Sequence, residues 1–412
     1  MSVWDVLIGQ DEAIDVLRAA AAAGQEIAGG REAKAGAMTH AWLFTGPPGS
    51  GRSVAARALA AALQCTSPTM DGPGSDLGGP GCGECQGCHT TLAGTHPDVK
   101  VINPEGLSIG VDAMRAVVAS SGRRPALGSW QVIIIEDADR LTEGASNALL
   151  KAIEEPPSRT VFLLCAPSTH PDDVSVTIRS RCRGVTLHTP SVEAIAAVLL
   201  ADGYDAASVA WIAPAAQGHV GRARRLSRDE QSRARRASVL AIPASLTSMQ
   251  ACFDAADALL IAADEEADAA FVGRDAEETE ALKTALGMGG TGKGAVAAGR
   301  GAAGQVKELE KRQKSRATRT KRDVLDRALV DLAGFYRDVL MVQLATGVPG
   351  ANPDFAASVA QVAGRLSHVQ TLERLDAVLG CREALDLNVK PRIAVEAMTF
   401  ALRLPAQAGW DS

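Results

Sequence analysis

His40-Ala41-Trp42-Leu43-Phe44-Thr45-Gly46-Pro47-Pro48-Gly49-Ser50-Gly51-Arg52-Ser53 passes from an apolar run into a Gly/Pro turn, and an alanine-rich stretch, Val54 to Leu63, follows. The run Ala41–Phe44 is too short for a helix and reads as a buried strand. A strand, a glycine-rich turn and a helix in that order point successive backbone N–H groups at one spot, the arrangement that cradles phosphate. Gly46, Gly49 and Gly51 let the chain curl closely around an anion, and Ser53 stands where a hydroxyl ligates Mg²⁺. Between Gly51 and Ser53 the pattern asks for lysine and the chain has Arg52. A planar guanidinium does not replace an ammonium at a fitted site. The turn therefore reads either as a nucleotide loop weakened for hydrolysis or as a relic that holds no nucleotide.

Two further short runs, Val132–Ile135 and Val161–Cys165, read as buried parallel strands with helical stretches between them. The expected fold over residues 1–187 is an α/β domain, a parallel sheet flanked by helices. From about Pro190 the strands stop. Ser191–Leu200 and Ala206–Ala216 look helical, and a third helix follows Gly221. A helical lid is expected at 188–240 and an all-α domain at 241–412. Gly287–Gly304 interrupts the helical composition and reads as a flexible loop.

The strand Val132–Ile135 ends in Glu136-Asp137. Phosphate-loop ATPases place Asp at the strand end for Mg²⁺ and Glu beside it to orient water. The reversed order misplaces each carboxylate by one methylene, about 1.5 Å, and errors near 1 Å cost about 10²-fold in rate. This departure and Arg52 both point away from efficient hydrolysis.

Cys82, Cys85 and Cys88 form C-x₂-C-x₂-C, and Cys65 precedes them. Four thiolates are what a closed tetrahedral Zn²⁺ site requires, with no position left open for chemistry. The module spans about 65–96. An iron–sulfur cluster also takes four cysteines, and His89 is an alternative ligand next to Cys88. Cys165, Cys182, Cys252 and Cys381 are isolated and read as packing residues. The histidines are scattered, and none falls into a hydrolase pattern.

The chain has 412 residues, 46% hydrophobic and 22% charged, which suits two to three globular domains. No apolar run reaches the ~20 residues of a membrane span, and MSVWDVLIGQDEA shows no apolar signal core, so a cytoplasmic protein is expected. A net charge of −6 and 3% aromatics argue against a protein that coats nucleic acid or stacks bases. Basic residues nevertheless cluster at Arg222–Arg236 and Lys307–Arg322. Pairing within the chain and contact with phosphates are both open readings.

The order of these elements, completed by Asn147-Ala148-Leu149-Leu150-Lys151-Ala152-Ile153-Glu154-Glu155-Pro156-Pro157 and by Ser180-Arg181-Cys182, resembles the bacterial sliding-clamp loaders of DNA polymerase III, members of the AAA+ superfamily. The resemblance covers about residues 4–226. It implies a five-subunit loader, with a helical collar and with AAA+ domains spiralling around primer–template DNA. The departures at Arg52, Glu136 and Asp137 are unlike the motor subunits, gamma or tau, and match the non-motor, zinc-bearing stator. The implied partners are gamma/tau, the delta subunit and, through the complex, the sliding clamp and DNA. Arg181 is then an arginine finger acting on a neighbour's ATP, with Arg179 and Arg183 as flanking alternatives. Arg222, Ser168 and Thr169 are weaker candidates for nucleotide sensing, and Ile8-Gly9-Gln10 resembles a segment that packs near adenine. ATP with Mg²⁺ remains an open ligand of the altered loop. An active motor subunit and a stand-alone zinc-containing DNA-binding protein are the rival readings.

Overall fold

The computed structural model describes residues 2–34, 36–67, 79–104, 106–286 and 293–405. The chain divides into two compact units, Met1–Val198 with Gly218–Gly221, and Leu199–Gln217 with Arg222–Ser412. The segment 188–240 is thus shared between them.

The first unit runs α1 (Asp11–Ala28), β1 (Ala41–Thr45), α2 (Arg52–Leu63), α3 (Gln86–Leu92), β2 (Val99–Ile102), α4 (Val111–Ser121), β3 (Gln131–Ile135), α5 (Glu143–Glu154), β4 (Thr160–Ala166), α6 (Val176–Arg179) and β5 (Arg183–Thr186). The five strands form one parallel sheet in the order β2-β3-β4-β1-β5. Its central strands are apolar on both faces, and side chains alternate between them. Trp42, Phe44, Val132, Ile134, Val161 and Leu163 face one core with α1 and α2. Leu43, Ile133, Ile135, Phe162 and Leu164 face the other with α4 and α5. Alanines along α2 let it lie close to the sheet, and Ala55, Ala56, Ala58 and Ala60 are fully buried. The edge strands β2 and β5 lie outside the sequence expectation. They are only partly buried and carry Lys100, Arg183 and Gly184, so neither makes an apolar run.

α7 (Val192–Ala201) begins in the first unit and ends in the second. The second unit continues with α8 (Ala206–Ala215), α9 (Val220–Arg228), α10 (Glu230–Ser245), α11 (Met249–Ala285), α12 (Lys293–Gln343), α13 (Ala356–Ala363), α14 (His368–Asp386) and α15 (Pro391–Ala401). Its core gathers around the C-terminal half of α12, where Leu325, Leu329, Leu332, Phe335, Tyr336 and Val339 are buried. The expected loop at Gly287–Gly304 needs correction. From Lys293 onward it is part of α12, and 287–292 lies outside the described residues. Alanines interleave the glycines there, and a long helix that continues into a packed core carries such a stretch along. Among the described residues no helix is long and apolar enough to cross a membrane.

Candidate functional site

The strand order puts the carboxyl ends of β1 and β3 on either side of β4. The glycine turn and the Glu136-Asp137 pair therefore meet across the end of β4, where ligands collect in open α/β sheets. Cys165 forms the floor between them. Burial, reinforced by Glu136 and opposed by Arg52, pushes its thiol up to about 12, and Ser53 hydrogen-bonds it. From the sequence Cys165 reads as a packing residue only. Its sequence position alone does not reveal that Ser53 reaches it and that the charges of Arg52, Glu136 and Asp137 act on it.

Two glycines of the turn are required by space as well as by their positive φ angles. A Cβ on Gly46 would stand 2.4 Å from the Leu187 carbonyl oxygen, and one on Gly49 would stand 2.9 Å from His219 Cβ. Arg52 does not reach outward from the turn. Its Nη1 donates to the carbonyl oxygen of Gly46 at 2.9 Å, folding the guanidinium back onto its own loop. Arg57, one and a half turns into α2, donates to Glu136 Oε1 through Nη2 at 3.0 Å and through Nε at 3.3 Å. Asp137 adopts a left-handed backbone with φ 53°, a strained state for a residue with a side chain. Burial, then the nearby Asp137 charge, holds Asp139 above the usual carboxylate range. Gln10 braces the turn from outside. Its Nε2 donates to the His188 carbonyl at 2.6 Å and to that of Ser50 at 3.4 Å, and its Oε1 accepts from His188 N–H. The structure thus brings Arg52, Ser53, Glu136 and Asp137 into one crevice. Two of the groups that would meet phosphate and Mg²⁺, Arg52 and Glu136, already have partners within the chain.

Ser175 caps α6, its Oγ accepting from Ile178 N–H, and Arg181 lies just beyond that short helix. Arg181 is half-exposed. It meets Glu154 Oε1 at 2.8 Å and donates to the Thr177 carbonyl at 3.0 Å and to Ser180 Oγ at 3.2 Å. Its neighbours are held differently. Arg179 donates to the Thr169 carbonyl, while Arg183 donates to the Gly36 and Ala37 carbonyls and lies 4.9 Å over the Trp42 ring. Ser168 is engaged in its own loop, donating to Asp173 at 2.6 Å. Arg222 pairs with Asp331 inside the second unit.

The sulfurs of Cys65, Cys82, Cys85 and Cys88 lie within 4.8 Å of one another. Cys65 Sγ is 3.8 Å from both Cys82 Sγ and Cys85 Sγ. Four sulfurs about 2.3 Å from one central ion stand about 3.8 Å apart, so the spacing fits a metal. Backbone N–H groups of Thr66 and Cys88 donate to Cys85 Sγ, and that of Cys85 donates to Cys82 Sγ. Such donors favour thiolates. The hydrogen bond to Cys88 pulls Cys65 down to about 4, and the same bond, with burial, drives Cys88 upward. The thiols compete for ionisation, a conflict that a shared cation removes. Gly87 makes the packing feasible, because a Cβ there would stand 1.9 Å from the Gln64 carbonyl oxygen at the end of α2. His89 is not among the clustered residues.

Residues 29–191 match the family described as DNA polymerase III, delta subunit. The Escherichia coli DNA polymerase III subunit delta' is 40% identical over 152 residues, 36% of this chain and 42% of that protein. The Pseudomonas aeruginosa subunit delta' is 40% identical over 145 residues, 35% of this chain and 41% of that protein. The matched segment is thus similar to DNA polymerase III delta and delta' subunits. A Bacillus subtilis relative, DNA polymerase III subunit tau, is 36% identical over 146 residues, 35% of this chain and 24% of that protein. The chain therefore spans about two fifths of the length of the delta' relatives it matches.

The two basic runs are largely paired within the second unit. Arg316 bridges Asp275 and Glu278 and lies 5.1 Å over the Phe271 ring, and Lys321 meets Asp264. Arg224 meets Asp202 at 2.8 Å, and Arg236 meets Asp354 and Asn352. Of the two open readings, pairing within the chain is the one the geometry realises at these residues.

Proposed function

We propose that this chain is the delta prime subunit of a sliding-clamp loader of DNA polymerase III, a stator that lends Arg181 to the ATP site of a neighbouring gamma or tau subunit. The reading rests on one contrast. Arg52 and Glu136, which would handle nucleotide in this chain, are taken up by Gly46 and Arg57. Arg181 is left half-exposed and is held by one surface ion pair and two weaker contacts. Breaking such a pair costs about 1 kcal/mol or less. An arginine finger supplied in trans raises rates by about 10³–10⁵, worth about 4–7 kcal/mol. A neighbour's phosphoryl group therefore outcompetes Glu154 for the guanidinium. There it stabilises the charge that grows in the transition state.

In this reading the chain turns over no ATP of its own. The four cysteines hold a structural Zn²⁺ that ties α3 to the end of α2. The chain works in the cytoplasm beside the delta subunit, and meets the sliding clamp and primer–template DNA through the assembled loader. Steady-state ATP turnover tests it, measured on the purified chain with excess Mg²⁺ and primed DNA and again after reconstitution with motor subunits. We expect none above background alone. In the loader we expect DNA- and clamp-stimulated turnover that falls with Arg181→Ala while assembly is retained, the one site that Arg181 serves losing about 10³-fold. The identity to a tau subunit favours a second reading, an active motor that tolerates Arg52. Clear turnover by the isolated chain, abolished by Ser53→Ala, would establish that reading instead.

A further inference from the structure

The second unit encloses a cleft of about 300 Å³ between α9, α10, α11 and α12 that the loader reading leaves without a role. Its floor is apolar, built from Leu226, Val239, Ile242, Leu259 and Leu325. Its rim is cationic. Arg327 and Arg235 reach the two oxygens of Glu266 at 2.6 and 3.0 Å, and Arg225 stands 3.7 Å from the first of them. One carboxylate thus contacts three guanidiniums, with the Asp323 charge also acting on Arg327. Each guanidinium carries five N–H donors and a carboxylate offers about four acceptor sites, so the donors outnumber what Glu266 can accept. The other acid on the rim, Asp331, is already paired with Arg222. Burial holds Arg327 below its ordinary range despite Glu266, so its charge is costly where it stands. A second anion would lower that cost.

We propose that this cleft binds a small anionic amphiphile, its phosphate or carboxylate head on Arg225, Arg235 and Arg327 and its apolar body on the leucine-rich floor. The volume is at the lower end for ligand sites, about 300–1,000 Å³, which suits a compact body. Planar guanidiniums in a partly desolvated rim match either head through paired N–H···O bonds. The proposal is independent of the loader reading, since no residue of it belongs to the crevice or to the cysteine cluster.

The test is titration of the full chain with anilinonaphthalene sulfonate, which combines an apolar body with an anionic head and fluoresces when shielded from water. We expect saturable one-to-one binding. It should weaken at least tenfold in Arg235→Gln and in Ala262→Phe, the latter filling the cleft from α11. Far-UV circular dichroism and melting should not change. If Arg235→Gln does not fold, Arg225→Gln carries the same test, because its contact with Glu266 is the loosest of the three. Octyl phosphate or octanoate should displace the probe, the stronger of the two identifying the head, and octanol should not. Absence of saturable binding, equal binding in the variants, or equal displacement by octanol would overturn the proposal.

Discussion

Gly87→Ala asks whether the contact between α3 and the end of α2 is what lets four thiolates converge. The added carbon would stand 1.9 Å from the Gln64 carbonyl oxygen and 2.9 Å from its carbonyl carbon. Both are backbone atoms of the residue that caps α2, immediately before Cys65, so neither can swing aside. α3 must retreat by about 1.1 Å before that contact reaches 3.0 Å. Cys88 lies on α3 and Cys85 caps it, so both thiols retreat with it while Cys65 stays with α2. Metal–sulfur distances tolerate only about 0.2 Å of error. The displacement is several times larger, and we expect zinc affinity to fall by about 10–100-fold, the range seen when groups that orient metal ligands are lost. Competition with a chromophoric chelator would measure it, with zinc content determined after dialysis. Gln86→Ala, exposed on the same helix, should leave affinity unchanged. One full equivalent of zinc at wild-type affinity in Gly87→Ala would refute the reasoning, because α3 would then have room that the structure denies it.

Arg181→Ala should shift the stability of the isolated chain by less than about 1 kcal/mol, since its partner Glu154 is itself 44% exposed; a larger loss in urea denaturation would make the arginine a structural residue. Asp98 accepts from the backbone N–H groups of Ala126, Leu127 and Gly128 at 2.6–2.8 Å and is only 2% exposed. Asp98→Ala should therefore destabilise the first unit by about 3–5 kcal/mol, read from the same denaturation curves. Burial, partly offset by Asp98, holds His96 below its ordinary value, so the unfolded chain takes up this proton first. Its contribution is complete above about pH 6.5 and is lost as pH falls from there toward the folded value. His96→Asn keeps an acceptor for Asp98 N–H, and should flatten the difference in stability between pH 7.5 and pH 5. An unchanged difference would assign that pH dependence to other groups.

Local pattern carried much of this protein. The strand–turn–helix at Ala41–Leu63, the central strands at Val132 and Val161 and the cysteine spacing are each written in neighbouring residues, through apolar alternation, glycine placement and ligand count. The edge strands β2 and β5 were illegible because they are only half buried, so no selection for an apolar run marks them. The glycine-rich stretch misled for a related reason. Composition records the entropic cost of helix at each glycine, but not the continuation into the core around Leu325 and Phe335 that carries a long helix along.

Sequence by itself determined the class of domain, the altered residues of its glycine turn and the four cysteines that cluster, because each is a matter of residue type at fixed spacing. Only the tertiary structure decided what the altered residues do. Arg52 turns onto Gly46, Arg57 claims Glu136, Cys165 lies beneath them and Glu154 holds Arg181. Arg52 folds onto its own loop, whereas Arg57, Glu136 and Cys165 come from elements far apart in the chain. They meet because the strand order sets β3 and β1 on either side of β4, and no local periodicity encodes which side chains face each other across a sheet.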